Sequence, residues 1–102
     1  MLSDLPVAPG EFIERLIRGV DDRRDTIDQL IGAHAIDWEP SRMPVVDLVI
    51  ARIAAFELIA EPEVPTAVIL SEAVELAQRY STEGSGPFLN GILAAIADEV
   101  RG

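Results

Sequence analysis

Residues 44–60, PVVDLVIARIAAFELIA, decide the fold of this chain. Apolar side chains lie on nearly every side of this segment when it is drawn as a helix, and three charges interrupt them, at Asp47, Arg52 and Glu57. A helix that is apolar all round belongs at the centre of a bundle, where other helices cover it. The charges stand five residues apart, which prevents pairing within the helix, so each needs a partner on another element.

Three other segments have the period of amphipathic helices and can supply this cover. They span residues 11–31, residues 66–80 and the region that follows residue 85. Within the first of them, Arg18 with Asp22 and Arg24 with Asp28 stand four apart and are expected to pair. The sequence therefore predicts an all-α bundle of four helices.

Local signals place the helix ends. Ser41 and Ser85 are predicted N-caps, and Pro87 fits the first turn of the last helix. Gly91, inside that helix, is expected to permit close approach of a neighbouring helix. Residues 1–10 contain two prolines and a glycine and are predicted to form an irregular leader, so the helical domain spans residues 11–102.

The composition bounds the function. The 102 residues are 49% hydrophobic, which is ample for one folded domain. Eighteen acidic residues stand against eight basic ones, all of them arginine, and the net charge of −10 disfavours autonomous binding of nucleic acid. The apolar stretch from Met43 to Ile59 carries three charges, too many for a membrane helix. The leader lacks the features of a secretory signal, so we expect a cytoplasmic protein.

No pattern of catalytic residues appears in the sequence. The chain has no cysteine and one histidine, His34, so a thiol nucleophile and a His/Cys metal site are excluded. Glu72 and Glu75 lie one helical turn apart, but neither a histidine nor a third carboxylate joins them. Gly84 and Gly86 precede a helix without the lysine of a phosphate-binding loop. The sequence therefore predicts a non-enzymatic protein without a metal or cofactor.

The second half of the chain carries a recognisable series of motifs. Residues 71–83 read SEAVELAQRYSTE, and residues 88–93 read FLNGIL. This series resembles the C-terminal half of the NusB family of bacterial transcription antitermination factors. The similarity continues back through Val64-Pro65, through the 52–58 helix, and to the approach from Trp38 to Asp47, so it covers most of the chain.

The resemblance implies a helical fold and a role in regulating the transcription of ribosomal RNA. NusB pairs with NusE, a ribosomal small-subunit protein, and the pair binds boxA RNA. By position, Asp47 matches an acidic residue on the face that meets NusE, and Phe88 matches an aromatic residue near the RNA. From the residues alone, Asp47 is equally a solvated carboxylate, Phe88 a core residue and Trp38 a lid on the bundle.

Four further positions match recurrent positions of the family, and the resemblance implies architectural roles for them. Asn90 would tie off helix ends, and Arg52 would pair with Glu72. Gly91 is the fourth.

The chain also departs from the family pattern. It begins after the arginine-rich N-terminus and the first helices, which indicates either a truncated product or a divergent relative that no longer binds RNA. Gly84 replaces a residue that is usually acidic, and Ala51 replaces a leucine. RNA binding by this chain alone is therefore expected to be weak or absent, and an exposed apolar patch is expected to favour a homo-oligomer. Two alternatives stay open: an accessory domain of a ribosomal RNA cytosine methyltransferase, and a generic helical interaction module.

Overall fold

The computed structural model describes residues 9–35 and 43–102, with side chains from residue 14 onward. Five α-helices make up this part of the chain, and it contains no strand. They are α1 (Pro9–Asp22), α2 (Arg24–His34), α3 (Val45–Ala60), α4 (Thr66–Tyr80) and α5 (Ser85–Arg101). The predicted all-α class is confirmed, and none of these helices is long and apolar enough to cross a membrane.

The apolar helix α3 lies at the centre. It packs against every other helix, and α3, α4 and α5 also pack on one another. Ala51, Ala54 and Ala55 on α3 are buried, as are Ala73 and Ala77 on α4. These small side chains let the helix backbones approach closely, while larger aliphatic residues fill the space around them. Seven large side chains are fully buried: Ile27, Ile31, Leu58, Ile69, Leu89, Leu93 and Ile96.

The first predicted helix is two helices. Arg23 leaves helical geometry with φ of −114° and ψ of 16°, and its amide donates to the carbonyl of Val20, three residues back. The break separates α1 from α2, and both helices pack on α3. The expectation of one helix over residues 11–31 was wrong. A one-residue interruption leaves the spacing of apolar residues unchanged, so the spacing could not reveal the break.

Gly19 on α1 marks a close contact between helices that the sequence did not reveal. A β-carbon at this position would collide with the ring of Phe56 on α3, which is itself buried. The guanidinium of Arg23 lies over the same ring, 5.5 Å from its centroid. The ring of Phe56 therefore fixes how α1 packs on α3.

Some expectations concern residues outside the described part. Ser41 as a helix cap, Trp38 as a lid, and most of the leader belong to residues 1–8 and 36–42. Helix α1 begins at Pro9, so residues 9 and 10 of the expected leader are helical.

Candidate functional site

The carboxylate of Asp47 lies inside the molecule. Asp47 occupies the first turn of α3, and its side chain is 2% exposed. The hydroxyl of Ser81, just after α4, donates to Oδ1, and the hydroxyl of Ser85, at the start of α5, donates to Oδ2 at 2.8 Å. One side chain thus connects three helices. Asp47 is neither a solvated carboxylate nor a residue whose carboxylate is open to a partner.

Ser85 is the second member of this network, and it is also buried. Because its single hydroxyl proton is directed to Asp47, Ser85 Oγ can only accept from its other neighbours. Thr82 supplies both donors, through Oγ1 at 2.7 Å and through its amide at 3.3 Å. The predicted N-cap role of Ser85 was wrong: Gly84 stands at the cap position, and the Ser85 hydroxyl is used by Asp47 instead.

A shallow pocket of about 250 Å³ opens beside the network. Phe88, in the first turns of α5, packs partly against the core and also lines this pocket. The structure therefore brings together the two residues singled out from the sequence, Asp47 and Phe88. The remaining lining residues are Pro44, Thr82, Gly84 and Ser85. An aromatic ring beside hydroxyl groups at a helix start is suited to an unstacked base or a flat polar ligand.

Comparison with known proteins identifies the family. The model of the NusB family matches residues 2–98 of this chain. The chain belongs to the NusB family. Proteins named transcription antitermination protein NusB from Streptomyces griseus and Acidothermus cellulolyticus are 48% and 49% identical to it, over 87% and 92% of its length. A solved structure of Thermotoga maritima NusB superposes with a TM-score of 0.84 at 44% identity, over 87% of this chain.

The matched region is only part of these relatives. It covers 62% of the Streptomyces griseus protein and 63% of the Acidothermus cellulolyticus protein, and the superposition covers 63% of the Thermotoga maritima chain. The chain thus spans somewhat less than two thirds of the length of its NusB relatives.

Arg52 does not form the expected ion pair with Glu72. Arg52 on α3 instead donates from Nε and from an η nitrogen to the two oxygens of Asp28 on α2, each at 2.9 Å. This parallel arrangement is the strongest geometry for the two groups. It also takes Asp28 away from Arg24, its expected partner, while Arg18 pairs with Glu14. Glu72 is exposed on α4.

The two expected architectural residues of α5 are both exposed. Asn90 lies within the helix and its side chain forms no hydrogen bond with the described residues, so it does not tie off a helix end there. A β-carbon at Gly91 would meet nothing within 4 Å. The expected close approach of a neighbouring helix at Gly91 was wrong, because this face of α5 points outward.

The residues considered for catalysis or metal binding lie on the surface. His34, at the end of α2, lies 3.0 Å from the carboxylate of Glu99 on α5. Glu75 pairs with Arg79 one turn along α4 at 3.0 Å. Among residues 9–35 and 43–102, no group of three or more metal-ligating side chains has the geometry to hold an ion.

Glu57 has an unusual environment. Burial on α3, together with the nearby carboxylates of Glu72 and Glu61, raises its pKa to about 7 from an ordinary value of 4.5. Desolvation disfavours the charged form, and the two like charges act in the same direction. Glu57 is one of the three α3 charges whose partners the sequence left open, and its environment favours the neutral acid.

Arg101 is the important residue that sequence reasoning missed. From the last turn of α5 its guanidinium donates to four backbone carbonyls around the end of α3, those of Glu57, Leu58, Glu61 and Val64, and to the hydroxyl of Thr66. The last carbonyls of a helix lack intrahelical partners, and a cation there also suits the helix dipole. The one signal in the sequence was the linker, residues 61–65. Its two prolines have no backbone N–H, so they cannot donate a hydrogen bond to the carbonyls of the preceding turn.

Proposed function

We propose that this chain acts as a NusB-family antitermination factor, which pairs with NusE and contributes with it to the recognition of boxA RNA during transcription of ribosomal RNA. The family match over residues 2–98 carries the proposal, because it covers the whole described structure up to the last turn of α5. The relatives are named antitermination proteins, which favours this role over an accessory domain of a methyltransferase and over an enzyme. The protein would act in the cytoplasm, where bacterial transcription takes place.

The pocket beside Asp47 is the part of the structure that supports an RNA contact. The ring of Phe88 would stack on one unpaired base, which contributes about 1–3 kcal/mol. Thr82, exposed in the neighbouring turn, offers its hydroxyl oxygen as an acceptor to the polar edge of that base. We assign Phe88 as the RNA-contacting residue.

Charge argues that this contact needs help from the partner. The net charge of −10 opposes the approach of a polyanion, and one stacked base gives only weak affinity once the entropy of association is counted. We therefore propose that NusE supplies most of the interaction with the phosphates, and that the chain alone does not distinguish boxA from other RNA.

Asp47 would support the pairing with NusE indirectly. Its carboxylate is buried and both of its oxygens accept hydrogen bonds, so it is not open to a partner. Instead it holds the α4–α5 turn, which presents Thr82 and Phe88 at the surface. The role of Asp47 would be to preorganise the turn that the complex uses.

Calorimetric titration of NusE into the chain tests the pairing. We expect saturable one-to-one binding. Substitution of Phe88 by Leu, which keeps apolar volume but removes the aromatic face, should leave NusE binding intact and weaken the binding of boxA by the complex by about tenfold. Tyr80→Leu, at an exposed aromatic residue outside the pocket, is the matched control. Absence of any heat of binding with the folded chain would refute the proposed pairing.

A further inference from the structure

The hydroxyl protons of the turn between α4 and α5 are all directed inward, to the buried carboxylate of Asp47. Ser81 donates to Oδ1, and Ser85 donates to Oδ2. Thr82 in turn donates its hydroxyl proton to Ser85 Oγ at 2.7 Å. A hydroxyl group has one proton and two lone pairs. The series of donors therefore runs from the surface to the interior, and its outer end, Thr82 Oγ1, presents only lone pairs to a ligand.

The backbone around the pocket that Phe88 lines adds few donors. The amide of Thr82 donates to Ser85 Oγ, and the amide of Ser85 donates to the carbonyl of Thr82. The amide of Phe88 donates to the carbonyl of Gly84, and Pro44 has no backbone N–H. Four of the six residues that line the pocket thus have no unused N–H for a ligand. The pocket offers mainly acceptors.

The charges around the pocket act in the same direction. The carboxylate of Asp47 lies behind the pocket, and Glu83 in the same turn adds a second, exposed carboxylate. The dipole of α5 places about half a positive charge at this end of the helix, which one carboxylate already outweighs. A negative potential attracts the partial positive charge of an N–H group and repels a carbonyl oxygen. The pocket therefore suits a ligand edge that donates.

We propose that this pocket selects a base that carries an exocyclic amino group, such as cytosine or adenine, over uracil. The ring of Phe88 stacks on the base, and Thr82 Oγ1 accepts a hydrogen bond from the amino group. In uracil a carbonyl oxygen replaces the amino group of cytosine, and this oxygen would face lone pairs and carboxylates. Thr82 is thus the specificity-determining residue, whereas stacking on Phe88 is tolerant of sequence. This selection rests on the proposed RNA contact and names the class of base that it takes.

A preference at one base does not make the isolated chain specific for boxA. A boxA sequence and its scrambled version have the same composition, so either can place a base with an amino group on the ring of Phe88. The preference therefore agrees with the weak RNA binding proposed for the chain alone. It is measured on single bases.

NMR titration of the full chain with nucleosides tests the selection. Cytidine and uridine have almost the same shape and carry no phosphate, so the net charge of −10 does not oppose their approach. Both should shift the amide signals of Thr82, Gly84 and Phe88 in saturable titrations. Cytidine should bind about three to ten times more tightly than uridine, which is the contribution of one hydrogen bond. Phe88→Leu should weaken the binding of both nucleosides and leave the ratio of their affinities unchanged.

Substitutions of Thr82 separate its hydroxyl from the rest of the pocket. Thr82→Val keeps the branched shape, and it should lower the affinity for cytidine to that for uridine while the affinity for uridine stays unchanged. Thr82→Ser retains a hydroxyl and should keep the preference. Thr26→Val is the matched control, because Thr26 is exposed on α2 and does not line the pocket. Circular dichroism checks that each variant is folded.

The possible failures are distinguishable. Equal affinities of the parent chain for cytidine and uridine, or a preference that Thr82→Val leaves intact, would overturn the selection and leave the RNA contact of Phe88 standing. If neither nucleoside shifts the amide signals of the pocket, the contact is refuted together with the selection, whereas the pairing with NusE is tested separately by calorimetry. Tighter binding of N-acetylarginine amide than of cytidine at the same signals would assign the pocket to a basic side chain of a protein partner, and would also overturn the proposal.

Discussion

At the scale of single residues, burial separates two carboxylates that the sequence could not tell apart. Asp47 and Glu57 lie on the same helix, ten residues apart, and both were expected to need a partner. Asp47 receives two hydroxyl protons, whereas Glu57 faces two further carboxylates and has its pKa raised. Periodicity predicts which helix a residue belongs to, but the polar groups that meet its side chain come from helices distant in the sequence.

Removal of the Asp47 carboxylate should destabilise the fold. Asp47→Ala leaves the hydroxyls of Ser81 and Ser85 without their acceptor in a buried site, which should lower the free energy of unfolding by about 2–3 kcal/mol. Urea denaturation followed by circular dichroism measures the change. Glu83→Ala, at an exposed carboxylate in the same turn, should change the stability by less than about 0.5 kcal/mol. Equal effects of the two substitutions would contradict the assigned network.

Glu57 should make stability depend on pH. Its folded pKa of about 7 exceeds the ordinary 4.5, so the folded state holds the proton more tightly than the unfolded chain does. The resulting stabilisation is fully present below the ordinary pKa and is lost as the pH rises through about 7.

A neutral isostere should remove that loss. Glu57→Gln should be more stable than the parent by about 1 kcal/mol near pH 8, a value discounted for the partial solvent contact of the side chain, and should lose this advantage near pH 4. Urea denaturation at both pH values measures it, with the exposed Glu63→Gln as control. A stability difference that does not vary with pH would show that Glu57 titrates normally.

At the scale of the helices, the sequence predicted most of the architecture. The bounds of α4 were predicted as observed, and α3 begins only one residue after its predicted start. These bounds could be predicted because prolines and helical periodicity are local signals in the sequence. The break at Arg23 and the outward orientation of Gly91 were missed. Both depend on which side of a helix meets its neighbour, and a single sequence gives that only where the apolar stripe is narrow.

Two glycines provide a matched test of helix packing. Gly91→Ala should stabilise the protein by up to about 1 kcal/mol, since alanine favours the helix and the new methyl group meets open space. Gly19→Ala should destabilise it by about 1–3 kcal/mol, since the methyl group collides with the buried ring of Phe56. Thermal unfolding of both variants gives the two signs. A destabilising Gly91→Ala would place a neighbour against that face of α5.

Arg101 should contribute strongly to stability through the end of α3. Arg101→Ala removes the donor to four carbonyls and should lower the free energy of unfolding by about 2–3 kcal/mol. Arg101→Lys should recover only part of the loss, because an ammonium group cannot reach acceptors spread around a planar guanidinium. Arg79→Ala, at an exposed pair on α4, should cost less than about 0.5 kcal/mol. Denaturant unfolding of the three variants measures these effects.

At the scale of the whole molecule, the distribution of charge and apolar surface limits what the chain can do alone. Residues 61–102, which include α4 and α5, carry seven acidic residues and two arginines, whereas residues 14–25 carry four of each. Of the eight exposed large hydrophobic side chains among the described residues, four lie on α1 and α3. The motifs of residues 71–93, by which the family was recognisable, include the turn and the start of α5 that line the pocket. The indirect role of Asp47 could not be recognised in the same way, since the position of a residue in a motif does not show whether its side chain is buried.

Fluorescence anisotropy with labelled boxA RNA tests the proposed function most directly. The RNA and a scrambled version are titrated with NusE alone, with this chain alone, and with the two proteins together. We predict that the chain alone binds both RNAs equally weakly, and that adding it to NusE increases the affinity for boxA over the scrambled RNA. If the chain adds no selectivity to NusE, or if it selects boxA by itself at micromolar concentration, the account is contradicted.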